Sequence, residues 1–190
     1  MRTMTLKGIL GIAAVTTVTA VGCIDGDAEF DANEEAATAV CKAVEREPNG
    51  REGTAIKLSS SNDCDGHGDK TTGMLAGSDD ADWHWFEGYD VGYCYVNPTV
   101  TLESQDPSVR VCTFFECVDD AETTVDCPSG STAETSPEGR KGCCAAGPGE
   151  LKVRGVDCEW TSYEDIDVYI RIDRTDRAEA CAEYAFSYHY

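Results

Sequence analysis

Three histidines, a dense set of carboxylates and eleven cysteines are the residues of this 190-residue chain with chemistry to offer. The histidines stand apart: His67 in a glycine loop, His84 inside an aromatic run, His189 among the C-terminal tyrosines. Hydroxyl nucleophiles need a base beside a serine in a strained turn, and no Gly-x-Ser-x-Gly occurs; Pro128-Ser129-Gly130 is loop composition. A glycine-rich phosphate loop and a His-Glu-x-x-His pair are also missing from the sequence. Asp79, Asp80 and Asp82 are so close that they share one loop, whereas a glycosidase pair must flank its sugar from two sides. Asp63, Asp65 and Asp69 surround Gly66 and Gly68 without the closing glutamate of a calcium loop, which is what any tight turn prefers. These residues favour a non-catalytic binding or structural module. The rival expectation is a secreted hydrolase with an active site of no familiar pattern.

Zinc sites are built from Cys-x2-Cys knuckles, but the close spacings here are Cys112-x4-Cys117 and the vicinal pair Cys143-Cys144. In an exported chain such density implies a disulfide framework. Export is signalled by residues 1–22, a basic start (Arg2, Lys7) followed by small and apolar residues from Gly8 to Val21. Glycines and threonines interrupt the run, so it reads as a signal peptide rather than a membrane span. Its end, Ala20-Val21-Gly22-Cys23, resembles the lipobox of bacterial lipoproteins, with Ala20 where leucine is commonest. The resemblance implies that Cys23 becomes an acylated N-terminus, labelled by palmitate and anchored in the membrane. At about 0.8 kcal/mol per buried methylene, two or three chains anchor stably where one does not. Ile24 is not the aspartate that retains such proteins in the inner membrane, so the expected address is the outer membrane, extracytoplasmic. Setting Cys23 aside leaves an even ten, Cys41, Cys64, Cys94, Cys112, Cys117, Cys127, Cys143, Cys144, Cys158 and Cys181, expected to form five disulfides. Their pairing is open; the nearest guesses are Cys41 with Cys64, and Cys117 with one of Cys127, Cys143 or Cys144.

The net charge is −21, and the leader carries two of the 15 basic residues and none of the acids. So acidic a protein repels nucleic acid and anionic lipid. Residues 23–44 read as a lipidated acidic tether, Asp25, Asp27, Glu29 and Asp31 having little to bury, with a short helix or linker from Asn33 that Pro48-Asn49-Gly50 stops. Residues 45–190 read as one β domain. Its centre is Trp83-His84-Trp85-Phe86, with Trp83, Trp85 and Glu87 on one face and His84, Phe86 and Gly88 on the other, as in a strand buried on both sides. Further strands are expected over 54–58, 97–102, 108–116, 150–154, 166–172 and 183–190, with 97–102 and 108–116 forming a hairpin. Ile166, Val168, Ile170 and Ile172 alternate inward; aromatics alternate to the C-terminus, tying it into a sheet. Residues 119–149, poor in large apolar side chains, read as a loop stapled by cysteines. About eight strands in all point to an antiparallel β-sandwich, jelly-roll-like and disulfide-stapled.

Glu45-Arg46-Glu47-Pro48-Asn49, then Gly73-Met74-Leu75 and Gly77-Ser78-Asp79-Asp80-Ala81-Asp82-Trp83, resemble the bacterial pre-peptidase C-terminal domain and its relatives, the collagen-binding modules of clostridial collagenases. In that family a Gly-x-Leu turn leads into an Asp-x-Asp-aromatic strand, and the fold is a β-sandwich. The resemblance covers 45–86; Gly50 stands where an aspartate is frequent, and the cysteine-rich half is instead similar to small myxobacterial lipoproteins. What it implies is a calcium site with side-chain ligands Glu45, Glu47, Asn49, Asp79 and Asp82 and a main-chain oxygen at Met74. Independently of the resemblance, a binding module of this kind is expected to hold a glycan or extracellular protein chain, for which Tyr89, Tyr93, Tyr95, Tyr169, Tyr184 and Tyr188 are candidate contacts.

Overall fold

The computed structural model describes residues 48–64, 68–95, 97–118, 121–159 and 165–190. The expected leader, tether and N-terminal helix, with Cys23, Cys41, Glu45, Glu47 and His67, lie outside these residues.

Alternation builds the larger sheet. β12 (Ile166–Arg174) runs antiparallel between β4 (Asp82–Tyr89) and β6 (Val109–Cys117). Ile166, Val168, Ile170 and Ile172 are fully buried on one face, and in register with them stand Phe86 and His84 of β4 and Phe115, Thr113 and Val111 of β6. The sheet extends through β9 (Lys141–Ala146) to β8 (Thr132–Thr135). On its other side two short strands, β1 (Ile56–Lys57) and β2 (Ser61–Asn62), pair parallel to β4, a departure from an all-antiparallel sheet. The second sheet has the order β10 (Gly149–Lys152), β5 (Thr99–Ser104), β13 (Ala182–His189), β3 (Lys70–Leu75). β7 (Thr123–Asp126) and β11 (Gly155–Cys158) form a separate two-stranded ribbon.

One apolar cluster joins the inner faces of the sheets, and within it the Phe86 and Tyr188 ring centroids are 4.6 Å apart. This is the disulfide-stapled β-sandwich expected from the strand pattern. Tyr190 is buried and packs over Gly88, where a Cβ would come within 2.3 Å of its ring, so the C-terminus is tied in as expected.

Three expectations are corrected. Residues 97–102 and 108–116 are not a hairpin: β5 and β6 lie in different sheets. Asp106 accepts from the Ser108 amide and hydroxyl and from Arg174, which fixes a connection between sheets instead of a hairpin turn. The stretch 119–149 is not a loop, for it contains β7, β8 and β9. Its lack of bulk has a packing cause: at Gly142 a Cβ would lie 2.1 Å from the Thr113 carbonyl oxygen and 2.6 Å from the Phe114 ring, so β6 supplies the large side chains.

The third correction concerns pairing. Cys64 bonds Cys94 rather than Cys41, and Cys117 bonds Cys158 rather than Cys127, Cys143 or Cys144. Cys127 bonds Cys143 and Cys112 bonds Cys144, and Cys181 is disulfide-bonded as well. Adjacent residues of a strand point to opposite faces, so Cys143 enters the inner core while Cys144 meets Cys112 on the outer face.

Candidate functional site

Where the edge strands of the two sheets approach each other, β1, β3, β4 and β13 enclose a cavity of about 250 Å³. Asn49, Asp82, His84 and Tyr184 line it and all are buried. Asp82 and His84 are two apart on β4 and so share the inward face. Asn49 is brought there by the main chain, its carbonyl accepting from the Trp83 amide at 2.9 Å. Tyr184 reaches in because Gly73 opposes it: a Cβ there would come 2.2 Å from the tyrosine hydroxyl. Gly73-Met74-Leu75 is thus the end of strand β3, not the turn the resemblance implied; the turn follows, with Asp80 accepting from the Ala76 amide at 2.7 Å.

The Tyr184 hydroxyl donates to Asp82 Oδ2 and stands 3.4 Å from His84 Nε2. With its proton directed at Asp82, the hydroxyl is left to accept from Nε2, which makes Nδ1 of His84 a bare lone pair. That atom is buried and has no hydrogen-bond partner among the described residues. Burial lowers the His84 pKa to about 4, so the ring is neutral at physiological pH. Chemically this is a small, acceptor-rich cavity, suited to a hydrogen-bond donor or a cation.

Of the expected calcium ligands, Asn49, Asp82 and Met74 line this cavity, whereas Asp79 is exposed at the turn. Donor triads also occur at Asp63, Cys64 and Cys94 and at Cys112, Glu134 and Cys144, but their sulfurs are joined in disulfides and offer no thiolate.

A second feature is a loop of tyrosines. Tyr89 is half exposed, while Tyr93 and Tyr95 stand almost wholly in solvent at 107% and 85% exposure, with Val91 also outward. The loop is nonetheless pinned: Cys94 bonds Cys64, the Val91 amide donates to Asp63 Oδ1 at 2.9 Å, and the Asp90 amide donates to Asp165 Oδ1 at 2.8 Å. Tyr93 has φ +87°, a left-handed conformation that costs a β-substituted residue roughly 1–2 kcal/mol. Tyr184 and Tyr188, also candidate contacts, are buried in the core, and Tyr169 stands half-buried between Trp85 and Arg140. Size and aromaticity alone could not separate these roles. The usable signal was position, since Tyr89 closes β4 and Tyr93 and Tyr95 fall in the glycine-containing stretch after it.

The outer face of the larger sheet is covered by its own side chains. Lys57 lies over Trp85, Trp85 stacks on Tyr169 at 6.0 Å, and the Arg140 guanidinium sits 3.9 Å from the Tyr169 ring centre. Burial works against the Arg140 charge, but Glu138, Glu52 and Glu116 outweigh it and hold the guanidinium more firmly protonated than usual. Beside this column Glu87, Asp167 and Glu116 stand in one cross-strand row. Burial, then these two neighbours, raises the Asp167 pKa.

No family model matches the chain, and neither a curated protein nor a solved structure matches it significantly.

Proposed function

We propose that this chain is an extracytoplasmic, non-catalytic binding module, held at the bacterial outer membrane through an acylated Cys23, whose contact surface is the loop Tyr89–Tyr95. The observation that carries the reading is the combination of exposure and restraint in that loop. Large aromatics in full contact with water are an unfavourable arrangement for folding alone. Holding them in place by a disulfide and two carboxylate–amide bonds lowers the ordering entropy lost on contact. The ligand class is a neutral or basic glycan or extended protein chain, since the charge of −21 disfavours acidic polymers. Retention of the mature protein on immobilised neutral polysaccharides and basic polypeptides tests this. The double variant Tyr93→Ala/Tyr95→Ala is expected to lose at least about tenfold in affinity with an unchanged melting temperature. Equal retention of wild type and variant sinks the loop as contact surface.

Calcium is the proposed structural cofactor of the same module, and the shared cavity of Asn49, Asp82 and Met74 supports it. Exposed Asp79 leaves a smaller ligand set than the resemblance implied, so weak binding is expected. In chelator-stripped protein, millimolar calcium should raise the melting temperature, and Asp82→Ala should remove that increment whatever its own baseline. An identical increment in the variant would exclude Asp82 as a ligand.

A further inference from the structure

We propose that the groove beside β10 binds an extended polypeptide as an added antiparallel strand, with acidic side chains opposite Lys152 and Arg154. The cleft measures about 700 Å³ and is lined by β10 and, across from it, by Asp126 and Pro128–Ser131. β10 ends its sheet: β5 pairs it on one side, and no strand among the described residues pairs it on the other. Its outward main-chain groups therefore face an open trough. Nothing lies within 4 Å of where a Cβ would stand on Gly130 or Gly149, so the walls leave room for another backbone. β10 itself covers four residues, and the Val153 amide continues its register with β5 by donating to the Pro98 carbonyl at 3.0 Å, so the extended edge 149–154 spans about 20 Å. Strand addition at such an edge supplies affinity through main-chain bonds and specificity through alternate side chains.

The alternation is fixed by the core. Leu151 and Val153 are buried, so Glu150, Lys152 and Arg154 project to the other side. Among the described residues, the buried and half-buried arginines Arg110, Arg140, Arg171 and Arg174 each pair with acids. Lys152 and Arg154 form no ion pair among the described residues, although both border the trough. An antiparallel guest complements them by carrying acids opposite Arg154 and Lys152 and a base opposite Glu150. Reading the guest from its N-terminus, that is acid, apolar, acid, apolar, base. The isolated-edge alternative is that Glu150 and Lys152 merely discourage association. This groove shares no residue with the tyrosine loop and does not rest on that reading.

The probe is the labelled peptide acetyl-Glu-Val-Glu-Val-Lys-amide, titrated against the full mature protein by fluorescence anisotropy at physiological salt. Its charge-reversed counterpart, acetyl-Lys-Val-Lys-Val-Glu-amide, is favoured by the overall charge of −21 and disfavoured by the groove, so the two forces give opposite orders. The acidic probe is expected to bind at least about tenfold more tightly, and Lys152→Glu/Arg154→Glu to invert that preference. N-methylation of one alternate set of its amides should abolish binding while methylation of the other set leaves it intact, since only one set faces β10. The proposal is overturned by a preference for the basic peptide, by insensitivity to both methylation patterns, or by no binding at 5 mM, a concentration of about the weakest useful affinity.

Discussion

The two outer faces of this sandwich are built from opposite materials. On the smaller sheet most outward positions of β3, β13 and β5 are short or singly charged, among them Lys70, Thr72, Ala185, Ser187, Thr101 and Glu103, and Met74 opposite Glu183 is the large apolar exception. The ion pair that crosses it, Lys70 with Glu103, is exposed at both ends. On the larger sheet the same kind of face holds Trp83, Phe114 and the Cys112–Cys144 bridge as a second buried cluster. Arg171 roofs it, 5.5 Å from Trp83 and 5.3 Å from Phe114, and is itself held by Glu134 and Asp173. No third layer covers this face among the described residues; long side chains do so, their stems excluding water and their charged ends paired at the rim. A sheet face need not be covered by another sheet to be buried.

Truncation on the two faces should therefore differ by an order of magnitude. Phe114→Ala should cost about 3–5 kcal/mol in urea unfolding, the value for a buried ring, because Trp83 and Arg171 lose the group they pack on. A cost below about 1 kcal/mol would reduce the roof to ordinary surface. Between the faces lies His84, and its effect is read by pH. The ring is neutral when folded and titrates near 6.5 when unfolded, so the unfolded chain binds the extra proton. Stability is fully present above pH about 6.5, falls as pH drops towards 4, and loses about 3 kcal/mol in all from this group before levelling. The difference between wild type and His84→Gln isolates that slope from the carboxylates; parallel curves would show the ring is not desolvated in solution. Smallest of all, Lys70→Ala should change stability by less than about 0.5 kcal/mol, and by less still in high salt.

Much of this was legible from spacing. β12 reads inward and outward as its sequence alternates, because a strand's period is two whatever surrounds it. The two faces of β4 were also readable, though how Trp83 came to be buried was not. Its cover arrives as Phe114, Cys144 and Arg171, from three strands that local pattern does not order. The site divided in the same way. Glu-Pro-Asn and the acidic turn marked Asn49 and Asp82, but His84 read as part of an aromatic run and Tyr184 as a ligand contact, and only the packing of β13 and β3 against β4 brought them to the same cavity.

By itself the sequence determined the class of fold, the acidity and the number of cysteines, all of which follow from composition and from nearest-neighbour geometry. Tertiary structure alone decided which cysteines meet, that 119–149 forms strands, and which tyrosines face water. Each of these depends on partners far apart in the chain: Gly142 is a strand residue because Phe114 fills its missing side chain, and Tyr184 is buried because Gly73 makes room for it. A residue's own chemistry sets what it can do, but the space left by its neighbours sets where it does it.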